Sequence, residues 1–227
     1  MAAKFEKVIV CLANSRKLAG RCIAGKEFDG SKFGRWIRPV SSRLTAEVSE
    51  EERRFQDGKD PKLLDIIRIP MIEAKPHGFQ VENCVIDDGY YWAKEGEIAV
   101  ADVRKALDKG TGPLWDNSSS SYNGTHDRVD EATAAKQSSS LKLLEVEDLI
   151  IEVAVEGAEF GNGKRKVRGH FSHNGAQYKL AITDPHIERE YLAKGVGTYR
   201  MGRAILCVSL GELYNGFAYK LIAGVII

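Results

Sequence analysis

Cysteine is scarce in this chain, and none of its four residues falls in a CxxC pair. Cys11, Cys22, Cys84 and Cys207 stand well apart, three of them inside apolar runs. They read as reduced core thiols. No apolar run reaches membrane-spanning length, and the start, Met-Ala-Ala-Lys-Phe-Glu-Lys, lacks the apolar core of a secretory leader. The expectation is a cytoplasmic protein with no membrane partner. Also missing are a phosphate-binding P-loop, a dinucleotide fingerprint and an HExxH helix. Ser209-Leu210-Gly211-Glu212 lacks the GxSxG pattern of a nucleophile elbow. With no complete catalytic set, no catalytic residue is assigned, no cofactor is expected, and a binding protein is favoured over an enzyme. Charge of one sign is not in excess either. Lys and Arg total 33 against 32 Asp and Glu, a net charge of +1, so the whole molecule is not a generic polyanion binder.

What is present is uneven. Arg16, Lys17, Arg21, Lys26, Lys32, Arg35, Arg38 and Arg43 crowd the segment from Asn14 to Arg43, against only Glu27 and Asp29. A second basic segment, from Gly161 to Arg203, includes Lys164, Arg165, Lys166 and Arg168. Two separated basic segments matter more to an anionic partner than the neutral total does. The most informative stretch is Gly34-Arg35-Trp36-Ile37-Arg38-Pro39-Val40. As a strand it places Trp36, Arg38 and Val40 on one side and Arg35, Ile37 and Pro39 on the other. An indole beside a guanidinium can stack on a base and hold a phosphate. The same pattern also fits an ordinary strand with one buried face.

Strand signals dominate the remaining chain. They run at Lys7 to Leu12, Gly20 to Lys26, Leu63 to Glu73, and a hairpin of Phe79 to Ile86 with Tyr90 to Ala99 joined at Asp87-Asp88-Gly89. Short helices are expected at Thr45 to Arg54, capped by Thr45, and at Ala101 to Lys109. A polar tract, 110–140, is rich in serine and asparagine and reads as a connection, although Trp115 and Tyr122 imply that part of it docks. Strands resume at Leu141, with tight turns at His173-Asn174-Gly175-Ala176 and Leu213-Tyr214-Asn215-Gly216. Asp184-Pro185 is a helix start, with the aspartate as cap and proline at the first helical position.

About five strands and a short helix in each half predict a mainly β protein of two tandem OB-like five-stranded barrels. The expected division is a first barrel at 1–110, a connecting segment at 111–140 and a second barrel at 141–227. Further residues carry the same implication. Lys7-Val8-Ile9-Val10-Cys11-Leu12-Ala13-Asn14-Ser15-Arg16-Lys17, Arg35-Trp36-Ile37-Arg38-Pro39-Val40, Leu64-Asp65-Ile66-Ile67, Thr183-Asp184-Pro185 and Cys207-Val208-Ser209-Leu210-Gly211-Glu212 resemble the bacterial dual OB-containing domain family. The resemblance implies a tandem barrel and supplies no catalytic residues.

On this reading Arg16, Lys17, Arg21, Arg35, Trp36 and Arg38 form a nucleic-acid surface, with Lys164, Arg165, Lys166 and Arg168 as a second. The expected partner is a single-stranded nucleic acid or a nucleotide. Two alternatives stand beside it: a protein-interaction adaptor, and a sensor or processor of nucleotides or modified bases with a pocket around His126, Asp127 and Arg128. His170 and His173, three apart on a strand, face opposite ways and predict no metal site.

Overall fold

The computed structural model describes residues 4–227, with Phe160 described by its backbone alone. The chain divides into two units, the first ending at Ala106 and the second running Leu107–Ile227.

The first unit contains β1 (Phe5–Lys17), β2 (Gly20–Phe28), β3 (Phe33–Val40), α1 (Glu50–Arg53), β4 (Asp65–Ala74), β5 (Asn83–Ile86), β6 (Ala93–Glu97) and α2 (Val100–Val103). A 3-10 turn, Arg104–Ala106, follows α2. The strand order is β1-β2-β3-β5-β4-β6, with β1 also pairing β4. All pairings are antiparallel except β3 with β5. The strand β1 hands over from one neighbour to another. Phe5–Val10 pairs with β4, and the ladder to β2 begins at Ile9, so only Ile9 and Val10 are paired on both sides. Ile9, Ile23, Ile37, Ile67, Ile69 and Trp92 fill the core.

Opposite Cys11, Gly25 sits where a Cβ would lie 2.1 Å from the Val10 carbonyl oxygen. The obstacle is backbone, which cannot rotate away. Gly25→Ala is therefore expected to lower stability by about 1–3 kcal/mol, read as a lower urea midpoint at unchanged slope.

The second unit contains β7 (Arg128–Asp130), α3 (Glu131–Ala134), β8 (Leu141–Glu156), β9 (Lys164–His173), β10 (Ala176–Ile182), α4 (Pro185–Lys194), β11 (Gly197–Tyr214) and β12 (Phe217–Ile226). Their order is β10-β9-β8-β11-β12-β7. A two-residue parallel ladder, Ala181 and Ile182 with Leu221 and Ile222, links β10 to β12. The core gathers Leu149, Ile151, Phe171, Tyr178, Leu206 and Ile222. Asp184 caps α4, and its second carboxylate oxygen accepts from the Val225 amide at 3.1 Å, tying the helix start to β12.

Four expectations need correcting. The units are six-stranded mixed sheets with short helices, not five-stranded barrels, and the pairing that returns each sheet on itself covers only part of its edge. The strand β6 falls inside the expected strand at Tyr90 to Ala99, whereas β7 comes from Arg-Val-Asp, too short to show an apolar alternation. The first helix is one turn, Glu50–Arg53, because Ser49 and Glu52 form a capping box there and Thr45 does not cap. The expected hairpin across Asp87-Asp88-Gly89 does not form: β6 pairs the first half of β4 and β5 its second half. Finally, the polar tract lies inside the second unit. It contributes β7, α3 and the core residue Leu114, whose amide donates to the Tyr178 hydroxyl at 3.0 Å.

Candidate functional site

The residues predicted as one basic and aromatic face do not share one. Arg16, Lys17 and Arg21 stand at the turn end of the β1–β2 hairpin, where Arg16 faces Arg21 across the ladder. Arg35 is exposed beside Glu27, with Nε 3.2 Å from its carboxylate. Glu27 lies six residues along β2 from Arg21, so the two groups are about 20 Å apart. Trp36 and Arg38 do lie on the same side of β3, but that side is buried: Trp36 is 8% exposed and Arg38 5%. The Lys26 ammonium sits 5.2 Å from the Trp36 ring centroid and donates to the Ala106 carbonyl at 2.6 Å. Trp36 is therefore not the exposed stacking platform expected from its sequence.

In the second unit, Lys164, Arg165 and Lys166 are exposed at the start of β9. Arg165 donates to the Leu192 carbonyl at 3.2 Å. Arg168 is clamped by Glu156 through two hydrogen bonds, 2.6 and 2.9 Å. One of its guanidinium nitrogens also lies 3.6 Å from Asp127, so the fold brings together two groups predicted separately. Asp127 is buried and accepts from the Ser121 amide and hydroxyl. His126 contacts the Gln177 carbonyl at 2.9 Å. Arg128 donates to Ser119 and packs 3.9 Å from the Phe217 ring centroid. His126, Asp127 and Arg128 thus fasten the polar tract to the sheet. His170 pairs with Glu152 at 2.7 Å. Burial nevertheless holds its imidazole below the usual histidine range, outweighing that carboxylate. Among the described residues no group of three or more His, Cys, Asp and Glu is placed to hold a metal ion.

A different constellation is built around the turn after β5. Asp87 accepts from the Gly89 amide at 3.3 Å and pairs with Lys4 at 2.6 Å; the Lys4 hydrogen bond holds its carboxyl below the usual range. Three residues on, Trp92 drops into the core, 1% exposed, and its backbone bridges to Phe55. The turn and this anchor leave Tyr90 and Tyr91 facing outward, 60% and 52% exposed. The Lys4 ammonium lies 5.3 Å from the Tyr90 ring centroid and the Arg54 guanidinium 5.9 Å from that of Tyr91. Both rings line a cleft of about 500 Å³ with Arg43, Arg54, Ser49 and Glu52. Within it Arg43 pairs with Glu52 at 2.7 Å. A second cleft, of about 420 Å³, shares Tyr91 and is lined by Phe55, Trp92, Asp60, Lys62 and Lys94.

Sequence reasoning missed this surface by treating residues 90–99 as one regular strand. A strand would set Tyr90 with Trp92 on one side and Tyr91 on the other. The available signal was the run of three aromatics directly after an Asp-Asp-Gly turn.

Among the described residues no helix is long and apolar enough to cross a membrane. No curated protein and no solved structure matches the chain. A family model described as Dual OB-containing domain matches residues 7–225, nearly the whole length, in agreement with the resemblance carried by the sequence motifs. The chain belongs to the dual OB-containing domain family.

Proposed function

We propose that this protein is a non-catalytic binding module for single-stranded nucleic acid, with Tyr90 and Tyr91 as its stacking platform. The observation that carries the proposal is the pair of adjacent tyrosine rings, both more than half exposed and each with a cation over or beside it. Aromatic faces next to arginine and lysine are the recurring means by which single strands are held without sequence readout. Family membership agrees with this reading, since OB-type domains commonly bind oligonucleotides. Arg43 and Arg54 take phosphates beside the rings. Arg16, Lys17 and Arg21, and separately Lys164, Arg165 and Lys166, are accessory phosphate contacts in their own units.

Acidic groups in the cleft, Glu51, Glu52 and Asp88, limit the electrostatic share. A fluorescence anisotropy titration with labelled ten-nucleotide strands tests the proposal. With about two phosphates neutralised, log affinity is expected to fall against log salt with a slope of about −1.4. Duplex of the same length is expected to bind more weakly, because its bases are not available to stack. An absence of binding to any single strand at low salt overturns the reading.

A further inference from the structure

We infer that a small cavity in the second unit binds a phosphomonoester, either free phosphate or the terminal phosphate of a strand. The inference is independent of the Tyr90–Tyr91 platform, which belongs to the first unit.

The cavity has a volume of about 160 Å³ and is lined by Asp108, Lys109, Leu114, Lys142 and His173. Sites for whole small molecules span about 300–1,000 Å³. This one is too small for a nucleoside and suits a single compact group. Its chemistry is cationic. Among the described residues neither the Lys109 nor the Lys142 ammonium has a carboxylate partner. Lys109 is exposed and Lys142 half-buried, and neither ammonium is enclosed by the fold. The Lys142 ammonium lies 5.7 Å from the Trp115 ring centroid, and that indole is held by a 2.7 Å hydrogen bond to the Ser139 carbonyl. Asp108 is the opposing charge, and its carboxylate already accepts from the Leu143 amide at 2.7 Å. Two cations outweigh it.

His173 supplies a third donor. The Asn174 side-chain nitrogen lies 3.0 and 2.9 Å from the Gly110 and Gly112 carbonyls, so it is the NH₂ end of the amide. The same nitrogen lies 3.1 Å from His173 Nε2. Facing a donor, Nε2 must accept, which places the ring proton on Nδ1. Burial and the Lys142 charge hold this imidazole below the usual histidine range and favour that neutral form. Among the described residues Nδ1 has no partner, and it is not enclosed, so its N–H is open to a ligand. The effect of Lys142 on His173 also shows that the two groups lie close together on the cavity wall.

Two ammonium groups and an imidazole N–H fit a tetrahedral dianion. A phosphomonoester carries a charge of about −1.5 to −2 at neutral pH and three acceptor oxygens. A phosphodiester carries one charge and a sugar on each side, which a cavity of this size does not admit. The free end of a strand fits, and so does inorganic phosphate.

The test titrates inorganic phosphate into the protein while the histidine ring signals are followed by NMR, with His173→Gln assigning the His173 signal. That signal is expected to shift saturably, and by more than those of the other histidines. Lys109→Gln and Lys142→Gln are each expected to weaken phosphate about tenfold, the loss of one charge-assisted hydrogen bond. Neither side chain gives up an ion pair, so both variants should keep nearly the wild-type urea midpoint. A second arm compares, by anisotropy, internally labelled ten-nucleotide strands with a 5′ phosphate, a 3′ phosphate or neither. Tighter binding of a phosphorylated strand, lost in Lys142→Gln, assigns the strand end as ligand. Equal binding of the three strands with an intact phosphate response assigns free phosphate. If phosphate leaves His173 unmoved and the three strands bind equally, the site is overturned and the Tyr90–Tyr91 reading stands. An undiminished phosphate response in both folded lysine variants overturns the site as well.

Discussion

Replacing Tyr90 and Tyr91 together by alanine is expected to weaken binding of a ten-nucleotide single strand about a hundredfold or more. Each base stacked on an aromatic side chain contributes about 1–3 kcal/mol, and two platforms are removed. Both side chains are more than half exposed, so the double variant gives up little buried apolar area and should unfold at nearly the wild-type urea midpoint. That combination separates a lost ligand contact from a damaged fold. Lys4 and Arg54 remain in the variant, so residual binding should keep its dependence on salt. A loss of less than about fivefold would place the stacking surface elsewhere.

The second large effect concerns Lys220, which is fully buried in β12. Its ammonium donates to the Asp116 carbonyl and, at 3.2 Å, to the side-chain oxygen of Asn117, and it lies 5.4 Å from the Tyr178 ring centroid. Its nearest acceptors are neutral. The carboxylate of Asp116 is occupied by Ser118, and that of Asp127 by Ser121. Burial therefore wins over these charges, and the pKa falls from 10.5 to about 8. The unfolded chain then holds the proton more tightly than the folded one. Folded stability rises as pH increases from 8 towards 10.5, and it is lost as pH falls back through 8. The expected amplitude is about 3 kcal/mol. Other groups also titrate in this window, so the measurement is a difference. Urea stability of the wild type minus that of Lys220→Met should increase across this range. A flat difference would show that the ammonium is better compensated than its neighbours indicate.

Parts of this molecule were legible because the signal was local. Asp184-Pro185 announces α4 by cap chemistry alone, and Asn174-Gly175 and Asn215-Gly216 adopt the positive φ angles that a two-residue hairpin turn requires. The alternation of Trp36 and Arg38 against Ile37 was also correct. What alternation cannot reveal is whether the second side of a strand is covered, and here it is, which removes Trp36 from the surface. The strand β7 was missed for a related reason: it joins its sheet through backbone pairing with β12, and backbone pairing leaves no mark on side-chain composition. Tyr90 and Tyr91 escaped notice because an irregular turn, not a period, turns both outward.

The division of β1 between two neighbours also bears on how the first unit assembles. Lys17 meets Gly20 across a two-residue turn, whereas Phe5 must find Met71. The first contact costs little loop-closure entropy, and the second must wait until α1 and its flanking loops have compacted the intervening chain. The upper half of the strand is thus recruited locally and the lower half by long-range docking. Ile9 and Val10, which belong to both ladders, are the point at which an early hairpin becomes a committed sheet.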